Sequence, residues 1–332
     1  MANAIGVNLD YTYNGQETLD VFITPGVKHP GITDLFTVLN GIKSKMQLGY
    51  TNQMAKITKA DDLSCGRTTT GTGVEILNRT LEVSPLKIFL EQCGDAFANT
   101  IYEEWLKAGN DVNDLTGTAA EKLMNTLVAE AAGRDAFNIL SFGNTASIDT
   151  DINMLDGLWT RLEAGVIAND VDEVADFNAV LIAGEALAKM KLAYESAPIT
   201  LDQLPEADRK FYVTRSVYDN LVSSYESVST GSDLQVGYQI DGIIQVRYRG
   251  VEVVKLSQWD AALASFSLLS THKLLYTTPT NHVVGIEKAG DETNAKVWYS
   301  NDDDNVKTSV KYRMGYQYRA AGFTVIAQSP SI

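Results

Sequence analysis

The chain has 332 residues and a formal charge of −15. At 45% hydrophobic and 21% charged residues its composition is that of a globular protein, which excludes the disordered and collagenous classes. Binding nucleic acid or anionic membrane by counterion release needs clustered Lys and Arg, and a chain this acidic is not built for it.

No stretch reaches the roughly 18 unbroken apolar residues of a membrane span. The opening, MANAIGVNLDYTYNGQ, lacks the basic start and apolar core of a secretory signal, so the sequence predicts a soluble chain made in a cytoplasm. Cys65 and Cys93 stand in unrelated contexts with no Cys-x-x-Cys, which argues against a disulfide framework or zinc ribbon. His29, His272 and His282 are scattered, leaving little material for a histidine-rich metal or acid/base centre. The acidic excess is local: residues 149–176 hold eight acids and one base, Arg161, while from Asp241 onward nine acids nearly balance ten bases. Such a region reads as a solvated acidic face. The length suggests two or three compact units.

In chain order, residues 1 to about 45 read as an extended arm followed by a short helix, ITDLFTVLNGIKSKM. Two strand-like runs, GYTNQMAKIT and GVEILNRTLEV, flank the polar KADDLSCGRTTTGT and predict a long β-hairpin with a flexible tip. Leu77, Leu81 and Val83 share one of its faces with Arg79. An isolated two-stranded ribbon is only marginally stable in water, so this one must lie on its own domain or on a neighbouring subunit. SPLKIFLEQCGDAFANTIYEEWLKAG places Phe89, Cys93, Phe97, Ile101 and Trp105 at spacing four and predicts a helix.

TGTAAEKLMNTLVAEAAGRDAFNILSFGN predicts a longer helix. Thr118 and Glu121 form its capping box, Leu123, Leu127 and Ala131 its buried face, and Gly143 its stop. A third helix is expected over about 172–195, with Phe177, Val180, Leu181, Gly184, Leu187 and Ala188 on one side. From residue 210 short strands dominate: KFYVT, GIIQVRYRGVEVV, KLLYTT, HVVGIE, AKVWYS, VKTSVKYRMGYQYR and GFTVIAQS. Helices first and sheet later predict an α+β architecture.

Candidate chemistry is sparse. KFYVTRSVYDNLVSSY has the strand–turn–serine–helix layout of a nucleophile elbow at Ser216, but the two glycine positions of that motif hold Thr214 and Tyr218. Ser216 followed by Asp219, with Val217, Leu221, Tyr225 and Val228 as the apolar stripe, reads instead as a capped helix start. Asp149, Asp151 and Asn153 match the first ligands of a calcium loop, yet its glycine position is Met154 and its bidentate glutamate position is Thr160. The acids of NDDDN (residues 301–305) suit a hairpin turn. GTGVEI at Gly71 precedes a strand and lacks the third glycine of a dinucleotide fingerprint. Asn78-Arg79-Thr80 is a glycosylation sequon with meaning only in a secreted protein. Tyr312, Tyr316, Tyr318 and Phe323 among Lys311, Arg313 and Arg319 could face nucleic acid, but strand alternation between core and solvent accounts for them better. The residues therefore predict no catalytic, cofactor-binding or metal site, and no enzyme.

The order of elements (arm, long hairpin, long helix, further helix, small mixed domain, returning strands) resembles the major capsid protein of tailed bacterial viruses, the Hong Kong 97-type fold. AEKLMNTLVAEAAGRDAFNILSFGN looks like that family's spine helix. KFYVTRSVYDNLVSSY looks like the opening of its axial domain. RGVEVVKLSQW and LLYTTPTNHVVGIE look like its later segments. The resemblance implies an N-terminal arm at 1–45, an extended hairpin loop at 46–83 and a peripheral domain with spine helix at 84–198. An axial domain at 199–282 and strands returning to the peripheral domain at 283–332 complete it. It implies a virion protein, made in the bacterial host cytoplasm, that assembles with itself into hexamers and pentamers of an icosahedral shell. That shell would enclose double-stranded DNA without sequence-specific binding or a membrane. Portal, scaffolding and decoration proteins are the further partners it implies, and no cofactor. The lysine–asparagine crosslink of some members is not carried over, because Lys56 and Lys59 lie in the right region but no matching asparagine or acid is evident. Two other readings stay open at this point, an encapsulin-type compartment enclosing an enzyme cargo and a serine hydrolase using Ser216.

Overall fold

The computed structural model describes residues 11–14, 30–51, 76–93, 119–227, 234–238, 244–268, 270–287, 294–300 and 305–330. Two sheets and one hairpin organise them. The first sheet runs β1 (Tyr11–Asn14), β13 (Asn294–Ser300), β14 (Asn305–Tyr318), β12 (His282–Ile286), β2 (Thr37–Asn40), with β5 (Ser84–Cys93) along the other side of β14. The second runs β6 (Asp172–Glu173), β15 (Thr324–Gln328), β11 (Lys273–Thr277), β7 (Lys210–Val213), β10 (Val251–Lys255), β9 (Ile244–Tyr248), β8 (Leu234–Tyr238). The hairpin pairs β3 (Lys45–Thr51) with β4 (Ile76–Glu82). The helices are α1 (Pro30–Leu35), α2 (Ala119–Phe142), α3 (Leu158–Ile167), α4 (Glu185–Glu195), α5 (Ile199–Asp202), α6 (Arg215–Ser227) and α7 (Ser257–Ser265). Mixed sheets with segregated helices make an α+β fold.

The central strands β7, β11 and β15 of the second sheet are buried on both faces, which is why KFYV, KLLYT and TVIAQ are largely apolar rather than alternating. Side chains alternate between two cores. Phe211, Val213, Leu274, Tyr276 and Val325 pack on one side with Ala186 and Met190 of α4 and Val217 and Leu221 of α6. Phe211 stacks on Tyr276 with ring centroids 4.2 Å apart. On the other side Tyr212, Leu275 and Ile326 join Phe137 and Leu140 of α2, Trp159 and Leu162 of α3, and Trp259 of α7. Each large side chain so buried contributes about 1.5–3 kcal/mol against exposure. The first sheet closes this core from beyond: every second residue of the long β14, from Val310 through Tyr312, Met314, Tyr316 and Tyr318, points into it. Tyr212 donates its hydroxyl to Asp34 O at 2.6 Å, tying α1 to the second sheet.

Several expected elements come out differently. Residues 84–93 are strand β5, paired with β14 over ten positions from Ser84↔Met314 to Cys93↔Asn305. The spacing of Phe89 and Cys93 fits a helix, but a ladder with a partner over 200 residues away prevails, and the remainder of that predicted helix lies outside the described residues. ITDLFTVLNGIKSKM is helical only through Leu35, then enters β2 and, from Lys45, β3. The long helix has its expected extent but not its expected face. Leu127 is 53% exposed, whereas Ala136, Phe137, Ile139 and Leu140 are buried, because the second half of α2 meets α3, α7 and the core. Thr118 and the side chains of Glu121 and Leu123 lie outside the described residues. The third helix begins only at Glu185; before it the chain adds β6 to the second sheet and exposes Val180. Helices α3 and α7 were not expected, although Leu158, Trp159 and Leu162, and Trp259, Ala262 and Leu263, carry helical spacing.

Candidate assembly surfaces

The hairpin lies on its own chain at its foot. Gly285 and Gly315 are opposite each other in the β12–β14 ladder. A side chain on Gly315 would strike Glu82 O, and one on Gly285 would come within 2.6 Å of Ile42 and 2.8 Å of Leu81. The missing side chains open a flat seat, and Ile42, Leu48, Leu81 and Val83 fill it against Val283. Further out, Gln317 Nε2 donates to Thr80 O at 3.0 Å. Arg79 bonds Asp170 at 3.0 Å while its guanidinium lies 4.2 Å from the Tyr318 ring centre. Tyr50 meets Phe323 edge-on, with centroids 5.3 Å apart. Beyond these anchors the ribbon shows apolar surface: Ile76 is 62% and Leu77 46% exposed. A second patch lies on β5, with Phe89 and Leu90 both nearly half exposed. Exposed apolar groups on a ribbon and on an edge strand are candidate contact surfaces. The tip, including Cys65 and Gly71, lies outside the described residues, as do His29 and Asp302–Asp304.

The two sheets are bolted together where the hairpin crosses them. TTPTNHVVG, from Thr277 to Gly285, carries the chain from β11 to β12. Asn281 Nδ2 donates to Ala320 O at 2.9 Å and its Oδ1 accepts from Ala320 N at 2.9 Å. Thr277 donates its hydroxyl to Phe323 O at 2.7 Å and so accepts from His282 Nε2 at 3.0 Å, which leaves His282 Nδ1 to accept from Tyr316 at 2.7 Å. Complete burial holds the imidazole neutral, pushed down to about 3. Its flanks read as strands in KLLYTT and HVVGIE, but these bonds join residues about 40 positions apart, and the sequence carries no sign of them.

Ser216 does not cap its helix. The helix begins at Arg215, and Thr214 O accepts the first bond, from Tyr218 N at 3.0 Å. Arg215 N is taken by the Asp260 carboxylate of α7 at 2.8 Å, and Asp219 pairs with Arg215 at 3.3 Å. The Ser216 hydroxyl instead meets His272 Nδ1 at 2.8 Å, and His272 Nε2 lies 3.3 Å from Ala179 O. A serine–histidine contact is the core of a hydrolytic site. Here, however, the other ring nitrogen faces the Ala179 carbonyl, and among the described residues no carboxylate orients the ring. The helix-end amide that would serve an oxyanion already holds Asp260, whose charge opposes a developing oxyanion. The contact ties α6 to the start of β11 and to the 179 loop.

The acidic loop uses its oxygens locally. Asp149 Oδ1 accepts from Asp151 N, and Asp156 Oδ1 accepts from Thr145 N and Oγ1. Among the described residues no three His, Cys, Asp or Glu gather as metal ligands. Tyr312, Tyr316 and Tyr318 are buried in the core, so their rings cannot stack on bases. No helix among the described residues is long and apolar enough to cross a membrane.

No protein-family model matches the sequence, and no curated protein matches it. Solved structures do match. The satellite phage P4 procapsid including size determination (Sid) protein is similar over 94% of this chain and 90% of its own, with TM-score 0.64 at 10% identity. A structure of Gordonia phage Cozz matches over 91% and 86%, with TM-score 0.56 at 8% identity. The capsid of an empty GTA particle computed with C5 symmetry matches over 90% and 89%, with TM-score 0.51 at 10% identity. The architecture is the Hong Kong 97-type fold.

Proposed function

We infer that this chain is the major capsid protein of a tailed bacterial virus, assembling into pentamers and hexamers of an icosahedral shell around double-stranded DNA. The observation that carries this is the likeness to the P4 procapsid along nearly the whole of both chains. Supporting it are a ribbon anchored at its foot and apolar beyond it, and an edge strand with exposed Phe89 and Leu90. The charge of −15 suits a wall against which DNA must move without sticking. In this reading the role is structural rather than enzymatic, and the protein resides in the virion after synthesis in the host cytoplasm. Portal, scaffolding and decoration proteins are its further partners. The division into arm (1–45), hairpin (46–83), peripheral domain (84–198), axial domain (199–282) and returning strands (283–332) is part of the same proposal. Deleting residues 60–72 tests it: the subunit should fold and fail to close shells. Normal shells without the tip would contradict the role given to the hairpin.

A further inference from the structure

Lys273 opens β11, Gln328 closes β15, and the two are register partners across the antiparallel ladder, so their side chains leave the same face. The lysine side chain is 4% exposed. Its Nζ lies 2.7 Å from Gln328 Oε1, 3.6 Å from Glu163 Oε1 and 4.4 Å from the centre of the Trp159 ring. The other end of the amide is held as well, with Gln328 Nε2 3.2 Å from Glu173 Oε1. A primary amide is thus fixed between a buried amine and one carboxyl, and a second carboxyl touches the amine. Nothing in the assembly surfaces uses this group.

Burial brings the Lys273 amine down to about 8 against the opposing pull of Glu163 and Glu173. Burial, with Asp176 beside it, raises the Glu173 carboxyl. Near neutral pH the amine is therefore mostly charged but has a minor uncharged, nucleophilic fraction, far larger than that of a free lysine. Glu173 carries a proton more often than a free glutamate does. An activated amine, a positioned carbonyl and a proton donor at the leaving nitrogen are the requirements for acyl transfer.

We propose that Lys273 and Gln328 join in an isopeptide bond within one chain, locking the last strand to β11. Neutral Nζ attacks Gln328 Cδ, the Nζ–Cδ bond forms and the Cδ–Nε2 bond breaks. The Glu163 carboxylate takes a proton from Nζ, protonated Glu173 gives one to Nε2, and ammonia departs. Solvent then returns both carboxyls to their starting state. One primary amide and one amine become one secondary amide and one ammonia, with no oxidant, reductant or further reactant. The bond spans two strands of one subunit and does not depend on the shell reading.

Intact-mass measurement of the purified, denatured full chain after incubation folded at neutral pH tests it. The expected result is a single chain lighter by one ammonia, with a branched proteolytic peptide linking Lys273 to Gln328. Lys273→Arg and Gln328→Met each restore the full mass, and Glu173→Gln slows bond formation by about 100-fold, the low end for a general acid. Folded wild-type protein that keeps its full mass overturns the proposal. So does a lost ammonia that maps to other residues, or a bond that joins two chains.

Discussion

The two sheets are built from similar residues and do different work. In the second, strands β7, β11 and β15 are buried on both faces between α4 and α6 on one side and the α2–α3–α7 core on the other. In the first, β14 buries alternate residues, while its neighbour β5 and the separate hairpin seated on this sheet leave Phe89, Leu90, Ile76 and Leu77 about half exposed. The core strands of the second sheet form a closed interior; the first sheet and the hairpin on it carry apolar side chains that stay about half exposed. Stability should therefore reside in the second sheet and assembly in the first.

Four perturbations bear on that contrast, in descending expected effect on folding. Leu275→Ala, in the doubly covered sheet, should cost about 2–5 kcal/mol by urea denaturation; a cost below about 1 kcal/mol would mean this sheet is not the stabilising centre. Acid should act at the junction between the sheets. The folded His282 imidazole lies at about 3 and its ordinary value is 6.5. Between these the unfolded chain takes a proton that the folded chain refuses. Its share of stability is therefore complete above about pH 6.5 and lost as pH falls toward 3. His282→Asn should flatten that part of the stability–pH curve; an unchanged slope would remove His282 from the account. Gly315→Val should cost about 1–3 kcal/mol, because its side chain meets the hairpin backbone rather than a flexible group, and should loosen the hairpin from its seat. Ile76→Ser should change the unfolding free energy by less than about 0.5 kcal/mol and still suppress assembly in light scattering. Equal losses in both would erase the distinction between the two regions.

What was legible in the sequence follows the same division. Strands buried on both faces announce themselves as apolar runs, and β7, β11, β12 and β15 fall where KFYVT, KLLYTT, HVVGIE and GFTVIAQS put them. The β3–β4 hairpin and the α+β class were also readable. Residues 84–93 were not, because a stripe at spacing four in a short segment fits a helix as well as an edge strand, and the deciding partner β14 is remote. The face of α2 was misjudged because an alanine-rich helix carries little periodic signal; which turns are buried depends on where α3 and α7 cross it. The chemistry was the least legible. Ser216 with His272, Arg79 with Asp170 and Tyr318, and Lys273 with Gln328 are 56, 91, 239 and 55 positions apart, and only folding brings each set together.

Electron microscopy of the purified full-length protein tests the central claim most directly. The account predicts closed shells with five-fold vertices built from this chain. A population of isolated subunits that never closes into shells, at any concentration or with co-expressed scaffolding and portal proteins, would contradict it.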